Sequence, residues 1–305
     1  MTVLANAVLS GVELGPEPWT WTLDPLQLLP VAIAAWLYAR RAGTLRRRGR
    51  PVAVARQLCF HSGLALLLVA FVSPVDSIGE ERLLSVHMVQ HILIGDLAAL
   101  LVVAGLTGPL LRPVLALSAI RRLRVLAHPL VALPLWAVNL YLWHLRPAYE
   151  AAVANDAVHA VQHACFFTAG ALMWAALIEP LPGPAWFGTG FKALSVAGVR
   201  LAEAVLANVF IWSGRPFYPH YVHAERLWGL TPLSDQNVGG AVMLLEGMLL
   251  TLGVFAWLVL RWLSEGERAQ LLVEQGIDPL VAQRAVRYGR GDALAADASG
   301  PAEPA

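Results

Sequence analysis

The sequence predicts an all-α membrane protein, a bundle of seven transmembrane helices with its N-terminus outside and its C-terminus in the cytoplasm. The composition, seven apolar windows and the distribution of arginine lead to this prediction. The 305 residues are 57% hydrophobic and only 14% charged, which is too apolar for a soluble domain of this length. The formal net charge of +1 gives no reason to expect a nucleic-acid partner.

Seven windows of the sequence are apolar and end at charged residues, proline or glycine. A hydrocarbon layer about 30 Å thick needs roughly 20 such residues in one helix. The first and fourth windows are short. In order, the windows are Pro25–Ala39, Ala55–Val72, Leu83–Gly105, His128–Trp143, Ala157–Ile178, Ala193–Trp212 and Val238–Trp262.

The arginines give the direction of the spans, because loops rich in Lys and Arg remain in the cytoplasm. The first and third connecting loops carry most of them and are expected inside. The chain then divides into an extracytoplasmic segment (1–22), a seven-helix domain (23–264) and a cytoplasmic tail (265–305). We expect the tail to form an amphipathic helix and to become disordered from about Asp292. The arginines of the two loops are Arg40, Arg41, Arg46, Arg47, Arg48, Arg50, Arg112, Arg121, Arg122 and Arg124.

Seven of the nine histidines fall toward the outer side of this topology. Two pairs are spaced four residues apart, in "HMVQH" (His87 and His91) and in "HAVQH" (His159 and His163). Residues i and i+4 share one face of a helix, so each pair can direct two imidazoles at one cation. Both pairs open a span from outside at similar depth, and His144 ends the fourth span nearby. This pattern predicts a metal site of imidazole ligands beneath the outer surface.

Acidic residues inside the spans are the other candidates, because a charge in the hydrocarbon layer needs a partner or a function. Glu246 lies two turns inside the last span, at the expected depth of His91, and is a candidate ligand or proton acceptor. Asp235 precedes that span and is expected to cap its helix and face the pocket. Asp96 is expected to pair with His61 on an adjacent span.

Five motifs in order resemble the CtaG-type cytochrome c oxidase assembly proteins, a family of seven-span bacterial membrane proteins. They are "SVHMVQHILI", "LWHLRPAYEAAV", "VHAVQHACFFTAGALMW", "RPFYPHY" and "SDQNVGGAVM". The resemblance implies a protein of the bacterial inner membrane that has no catalytic residues and that acts on oxidase subunits among membrane lipids. It also implies functional roles for the residues that match the motifs: His87, His91, His144, His159, His163, Asp235 and Gln236.

Three hypotheses follow. In the first, a non-enzymatic assembly factor holds copper with the outer histidines and hands it to the oxidase. In the second, a membrane-embedded zinc hydrolase cuts a lipid amide, with Glu246 or Asp235 as general base. In the third, one histidine from each pair binds haem without a covalent link, since the sequence has no CxxCH motif. The combined ligand set is His87, His91, His144, His159, His163, Asp235 and Glu246.

Overall fold

The computed structural model describes residues 19–23 and 25–298, and every regular element in that part of the chain is helical. The predicted extracytoplasmic segment therefore lies almost wholly outside the described residues. The α-helices are α1 (Pro25–Arg47), α2 (Val54–Val72), α3 (Pro74–Glu81), α4 (Leu84–Ile92), α5 (Ala99–Gly105), α6 (Gly108–Leu115), α7 (Ser118–Leu123), α8 (Pro129–His144), α9 (Arg146–Val153), α10 (Asp156–Ile178), α11 (Thr189–Trp212), α12 (Pro219–His223), α13 (Pro232–Glu274), α14 (Pro279–Arg287) and α15 (Gly291–Ala298).

Five helical segments of the described chain are long and apolar enough to cross a membrane. They confirm five of the seven predicted windows. The first and fourth windows also form helices, α1 and α8, but these are not among the five. At 1.5 Å per residue, the 16 residues of α8 extend about 24 Å, less than the hydrocarbon thickness. The five segments are Val54–Val72, Leu84–Gly105, Asp156–Ile178, Thr189–Trp212 and Pro232–Glu274.

The segment Leu84–Gly105 is interrupted by one π-helical stretch, Leu93–Ala98, between α4 and α5. Helix α2 packs against this stretch and against α5, and α10 packs against both and against α8. Single π-helical turns occur often beside functional sites, because they rotate the side chains that follow. Here the π-helical stretch begins two residues after His91.

Helix α10 crosses the π-helical stretch at very close range. A Cβ atom on Gly170 would lie 1.8 Å from the carbonyl oxygen of Gly95, so only glycine fits at this crossing. The contact lies a few residues beyond both histidine pairs. It therefore brings the segment that carries His87 and His91 against the segment that carries His159 and His163.

The chain forms two compact units. The first runs through Leu181 and includes Leu201–Gly247; the second comprises Pro182–Arg200 and the chain from Met248 onward. Within the second unit, the end of α13 and helix α14 share a small core of Ala269, Leu272, Ala282 and Val286.

The predicted tail differs from the structure in two respects. Helix α13 continues as far as Glu274, well past the predicted end of the last span at Trp262, because neither proline nor a glycine with positive φ interrupts it. The segment from Asp292, expected to be disordered, contains α15 up to Ala298. The amphipathic character predicted for the tail is carried by α14, whose Ala282 and Val286 are buried.

Candidate metal centre

Four histidines from two helices converge in the first unit. One nitrogen from each ring lies within 4.8 Å of the others. His87 faces His159 at a ring-centroid distance of 5.2 Å, and His91 faces His163 at 5.6 Å. The two pairs therefore lie side by side in the same direction, as their matched spacing predicted. All four residues are buried, with at most 7% of their surface exposed.

Hydrogen bonds orient the rings of His87 and His159. His87 Nδ1 lies 3.3 Å from the carbonyl oxygen of Gly79, and His159 Nδ1 lies 3.3 Å from the carboxylate of Glu80. The Gly79 carbonyl and an ionised Glu80 carboxylate both accept hydrogen bonds, which favours the tautomer of each ring that carries its proton on Nδ1. His87 Nε2 lies 2.9 Å from His91 Nε2. With its Nδ1 protonated, His87 accepts at Nε2 a hydrogen bond from His91 Nε2–H. The Nε2 of His159 is buried and makes no hydrogen bond.

The cluster contains ring nitrogens that are buried and make no hydrogen bond, among them His159 Nε2, His163 Nε2 and His91 Nδ1. A buried polar atom without a hydrogen bond is costly. A tetrahedral ion at 2.0–2.1 Å from each nitrogen would place the nitrogens about 3.3 Å apart. The nitrogens are already within 4.8 Å, so small side-chain movements would let all four bind one ion.

Three tyrosines and a short helix close the end of the cluster that lies next to His87. Tyr221, on α12, donates its hydroxyl hydrogen to Gly79 at 2.7 Å and lies 3.1 Å from His87 Nδ1. Its hydroxyl also contacts that of Tyr149 at 3.0 Å, while Tyr218 donates to the carbonyl of His144 at 2.8 Å. The loop between α11 and α13 therefore folds back over the histidines as a cover.

Burial raises the pKa of Tyr149 and Tyr221 well above the ordinary tyrosine value. Both hydroxyls therefore remain protonated at any physiological pH. Each can donate one hydrogen bond and accept others, which is how Tyr221 contacts Gly79, His87 and Tyr149 together. The tyrosines orient the cluster without adding a negative charge beside it.

A glutamine directly precedes the second histidine of each pair. Gln90 is fully buried and donates through Nε2 to the carboxylate of Asp76 at 2.6 Å and to the carbonyl of Ala70 at 2.9 Å. These bonds tie α4, which carries His87 and His91, to α3 and α2. Gln162, its counterpart in the second pair, is also fully buried.

His144 lies beside the four-histidine group and outside it. Its ring centroid is 6.3 Å from that of His91. Its Nδ1 donates to the carbonyl of Leu140 at 2.7 Å, and its Nε2 is buried without a hydrogen bond. His91 and His144 both line a small cavity of about 30 Å³, room for about one water molecule or ion.

Asp235 supports the site through the helix that carries His87 and His91. Its carboxylate accepts hydrogen bonds from the backbone N–H groups of Leu84 at 2.7 Å and Ser85 at 3.1 Å. These are free N–H groups at the start of α4, whose own N-cap residue, Leu83, supplies no side-chain bond. Asp235 therefore caps the helix that carries His87 and His91. The sequence predicted a cap on the last span, and the structure places it on a different helix.

Gln236 connects the loop between α11 and α13 to the end of α11. Its side-chain oxygen accepts from the N–H of Phe217 at 2.7 Å, and its Nε2 donates to the carbonyls of Phe210 and Arg215, each at 3.3 Å. The residue is buried. Its role in the structure is thus to hold the loop in place over the histidines.

Glu246 belongs to a different group. Its carboxylate lies within 4.8 Å of those of Asp96 and Glu203, and the structure does not include it among the four histidines. The ring of His61, the expected partner of Asp96, packs edge-on against Tyr38 and Phe60.

The sequence reasoning missed several residues that contact the cluster or the residues that position it: Asp76, Glu80, Tyr149, Tyr218 and Tyr221. Tyr149 lies in the quoted motif "LWHLRPAYEAAV", and the other two tyrosines lie in "RPFYPHY", so the motifs already contained these three. Asp76 and Glu80 lie in a polar connecting segment, and no spacing rule connects them with histidines on other helices.

Comparison with known proteins gives relatives in mycobacteria. Two mycobacterial proteins, uncharacterized protein Mb0105 of Mycobacterium bovis and uncharacterized protein MT0111 of Mycobacterium tuberculosis, are each 25% identical to the chain over 287 residues. The alignment covers 86% of this chain and 43% of each relative, so the chain spans less than half of their length. No solved structure matches it.

The model of the cytochrome c oxidase caa3 assembly factor family matches residues 36–265. The match contains every residue of the four-histidine group, together with His144, Asp235 and Glu246. The chain therefore belongs to the cytochrome c oxidase caa3 assembly factor family.

Proposed function

We propose that this protein assists the maturation of a bacterial cytochrome c oxidase by holding a copper ion and passing it to an oxidase subunit. His87, His91, His159 and His163 are the ligands in this proposal. The observation that carries it is the convergence of four buried imidazoles from two helices, with one nitrogen of each within 4.8 Å of the others. The copper is cargo, so the protein's task is to bind it and release it.

The donor set suits this cargo. Neutral imidazole binds copper, zinc and iron well, whereas magnesium and calcium prefer oxygen. The four-histidine group contains neither a thiolate nor a carboxylate among the residues described. Such a site carries no net charge of its own, so it holds the ion less tightly than a thiolate cage and can release it to a stronger site.

The fold positions these ligands before an ion arrives. The Nδ1 atoms of His87 and His159 are engaged by Gly79 and Glu80, so the ion would bind at Nε2 of each ring and replace the hydrogen bond between His87 and His91. Asp235 caps the helix of the first pair. His144 lies next to the group with a free Nε2, and we assign it as an auxiliary ligand along the transfer route.

The topology in this proposal is that of seven spans, with α1 and α8 added to the five long apolar helices. The histidine group then lies near the outer face of the inner membrane and the arginine-rich loops lie in the cytoplasm, as the distribution of positive charge favours. The outer position places the ion on the side from which oxidase subunits can receive it.

The non-enzymatic role is favoured over the zinc hydrolase by the placement of the acids. A hydrolase needs a carboxylate base beside the metal-bound water. Glu246 lies instead with Asp96 and Glu203, and Asp235 is engaged by the N–H groups of α4. Neither is positioned as a base in the four-histidine group.

The test is metal analysis of the detergent-purified full chain. We expect one copper per chain after incubation with copper and removal of the excess, and loss of that copper in the double variant His91→Ala, His163→Ala. His223→Ala is the matched control, because His223 is an exposed histidine of the outer loop. Equal copper in the double variant and in the control would reject the site. Stoichiometric zinc in place of copper, or a Soret band, would favour the other two hypotheses.

A further inference from the structure

Four arginines line one cavity of about 310 Å³ in the first unit, in a region remote in sequence from the histidines. Three of them, Arg41, Arg48 and Arg50, come from the end of α1 and the turn that follows it. The fourth, Arg112, comes from α6. The volume is within the range of cavities that hold small ligands.

The backbone of the turn fixes two of these arginines. The N–H of Gly49 donates to Arg46 at 3.1 Å, and that of Arg50 donates to Leu45 at 3.0 Å. Gly49 has a φ of +71°, which glycine adopts without strain. This is a Schellman motif, the common ending of a helix. It holds Arg48 and Arg50 on either side of Gly49 at the cavity.

The opposite wall is the N-terminus of α6, where Gly108 and Pro109 line the cavity. Arg41 bridges the walls by donating through Nε and Nη2 to the carbonyl of Pro109, at 3.2 and 2.8 Å. A helix N-terminus carries partial positive charge. The backbone therefore adds to the charge of the arginines at this place.

No acidic side chain is among the described residues that line the cavity. The segments 25–75 and 97–149 contain twelve arginines and no Asp or Glu. Like charges brought together repel one another, and an anion between them removes that cost. The cavity therefore favours a ligand with concentrated negative charge.

We propose that this cavity binds a phosphate group. Guanidinium groups pair with phosphate oxygens through two parallel hydrogen bonds, which makes arginine the preferred partner for that geometry. Two sources share this chemistry, the headgroup of an anionic phospholipid and a soluble phosphate. A basic pocket between helices that end near the cytoplasmic membrane surface is typical of the first.

The experiment measures both sources on the full chain purified in a neutral detergent. Phosphatidylglycerol binding is measured by native mass spectrometry, with phosphatidylcholine as the uncharged comparison, and inorganic phosphate binding is measured by calorimetry. The test variant is Arg48→Gln, Arg112→Gln. The matched control is Arg122→Gln, Arg124→Gln, which removes two arginines of the third loop that do not line the cavity.

We expect affinity for one of the two probes to fall about tenfold or more in the test variant, because two charge-assisted hydrogen-bonding groups are lost, and to remain within about twofold in the control. A fall for phosphatidylglycerol alone assigns a lipid site, and a fall for inorganic phosphate assigns a soluble ligand. Equal losses in both variants, or no loss for either probe, would overturn the proposal. Melting temperatures identify misfolding, in which case the single variants Arg48→Gln and Arg122→Gln replace the pairs.

Discussion

At the scale of single residues, the histidine cluster depends on which ring nitrogen carries the proton. An acceptor oxygen lies within hydrogen-bonding distance of the Nδ1 atoms of His87, His144 and His159. These contacts favour the tautomer in which Nδ1 carries the proton and Nε2 has the lone pair. The protein thereby keeps the tautomer that a metal requires without needing a metal to select it.

Because Glu246 lies with Asp96 and Glu203 and not with the histidines, its removal should leave the copper site intact. We expect Glu246→Gln to bind as much copper per chain as the wild type, whereas His163→Ala binds less. Metal analysis of the purified variants checks this. Copper lost in Glu246→Gln would mean that its carboxylate contributes to the same site.

Asp76 makes stability depend on pH. Burial raises the pKa of its carboxyl group from 3.8 to about 6, although the hydrogen bond from Gln90 partly opposes the shift. A raised pKa means that the folded protein binds the proton more tightly than the unfolded chain does. The stabilisation is fully present below pH 3.8 and is lost as the pH rises through about 6.

In Asp76→Asn this contribution disappears. We expect the difference in melting temperature between wild type and variant to change between about pH 4 and 6 and to be constant above about pH 7. Asp292→Asn, at an exposed aspartate, is the control and should show no such change. A pH-independent difference for Asp76→Asn would show that the carboxyl has an ordinary pKa in the folded protein.

At the scale of helices, the close crossing of α10 and the π-helical stretch determines how the two histidine pairs meet. Each pair alone provides two ligands on one helix face, which the sequence predicted from the spacing of four. The distance between the pairs depends on contacts between distant segments, and above all on Gly170 beside Gly95. The HxxxH pattern therefore predicted that the histidines of each pair share a helix face, but it could not predict the π-helical stretch or the crossing.

A side chain at the crossing should separate the pairs. In Gly170→Ala the added Cβ would lie 1.8 Å from the carbonyl oxygen of Gly95, so the helices must move apart at a cost of roughly 1–3 kcal/mol. We expect a lower melting temperature and weaker copper binding. Gly198→Ala is the control, since nothing lies within 4 Å of a Cβ at that position. Equal effects of the two substitutions would contradict this account of the crossing.

The difference between local sequence signals and contacts between distant segments also explains which other elements the sequence predicted. Apolar composition identified five long helices because membrane thickness imposes a length that can be recognised locally. The end of α1 was expected to be an arginine-rich loop and is helical as far as Arg47, since arginine is a good helix former. The target of the Asp235 cap could not be predicted, because it lies 150 residues away along the chain.

At the scale of the whole molecule, the candidate site lies within the part of the chain that matches the family. The matched region, residues 36–265, contains the four histidines, the tyrosines that cover them and the aspartate that caps their helix. The sequence predicted the family and the two histidine pairs that converge in the structure. It did not predict that Asp235 and Glu246 would lie in different places, Asp235 at the start of α4 and Glu246 beside Asp96. Their separation depends on the three-dimensional packing of the helices.

The most direct test of the central claim is the copper-to-haem ratio of the cytochrome c oxidase purified from cells that carry His91→Ala, His163→Ala in this protein. If the four histidines supply copper to the oxidase, the enzyme should retain its haem and contain substantially less copper than the enzyme from cells with the wild type or with His223→Ala. An oxidase with its full complement of copper, from cells in which the double variant is present in the membrane at normal abundance, would contradict the account.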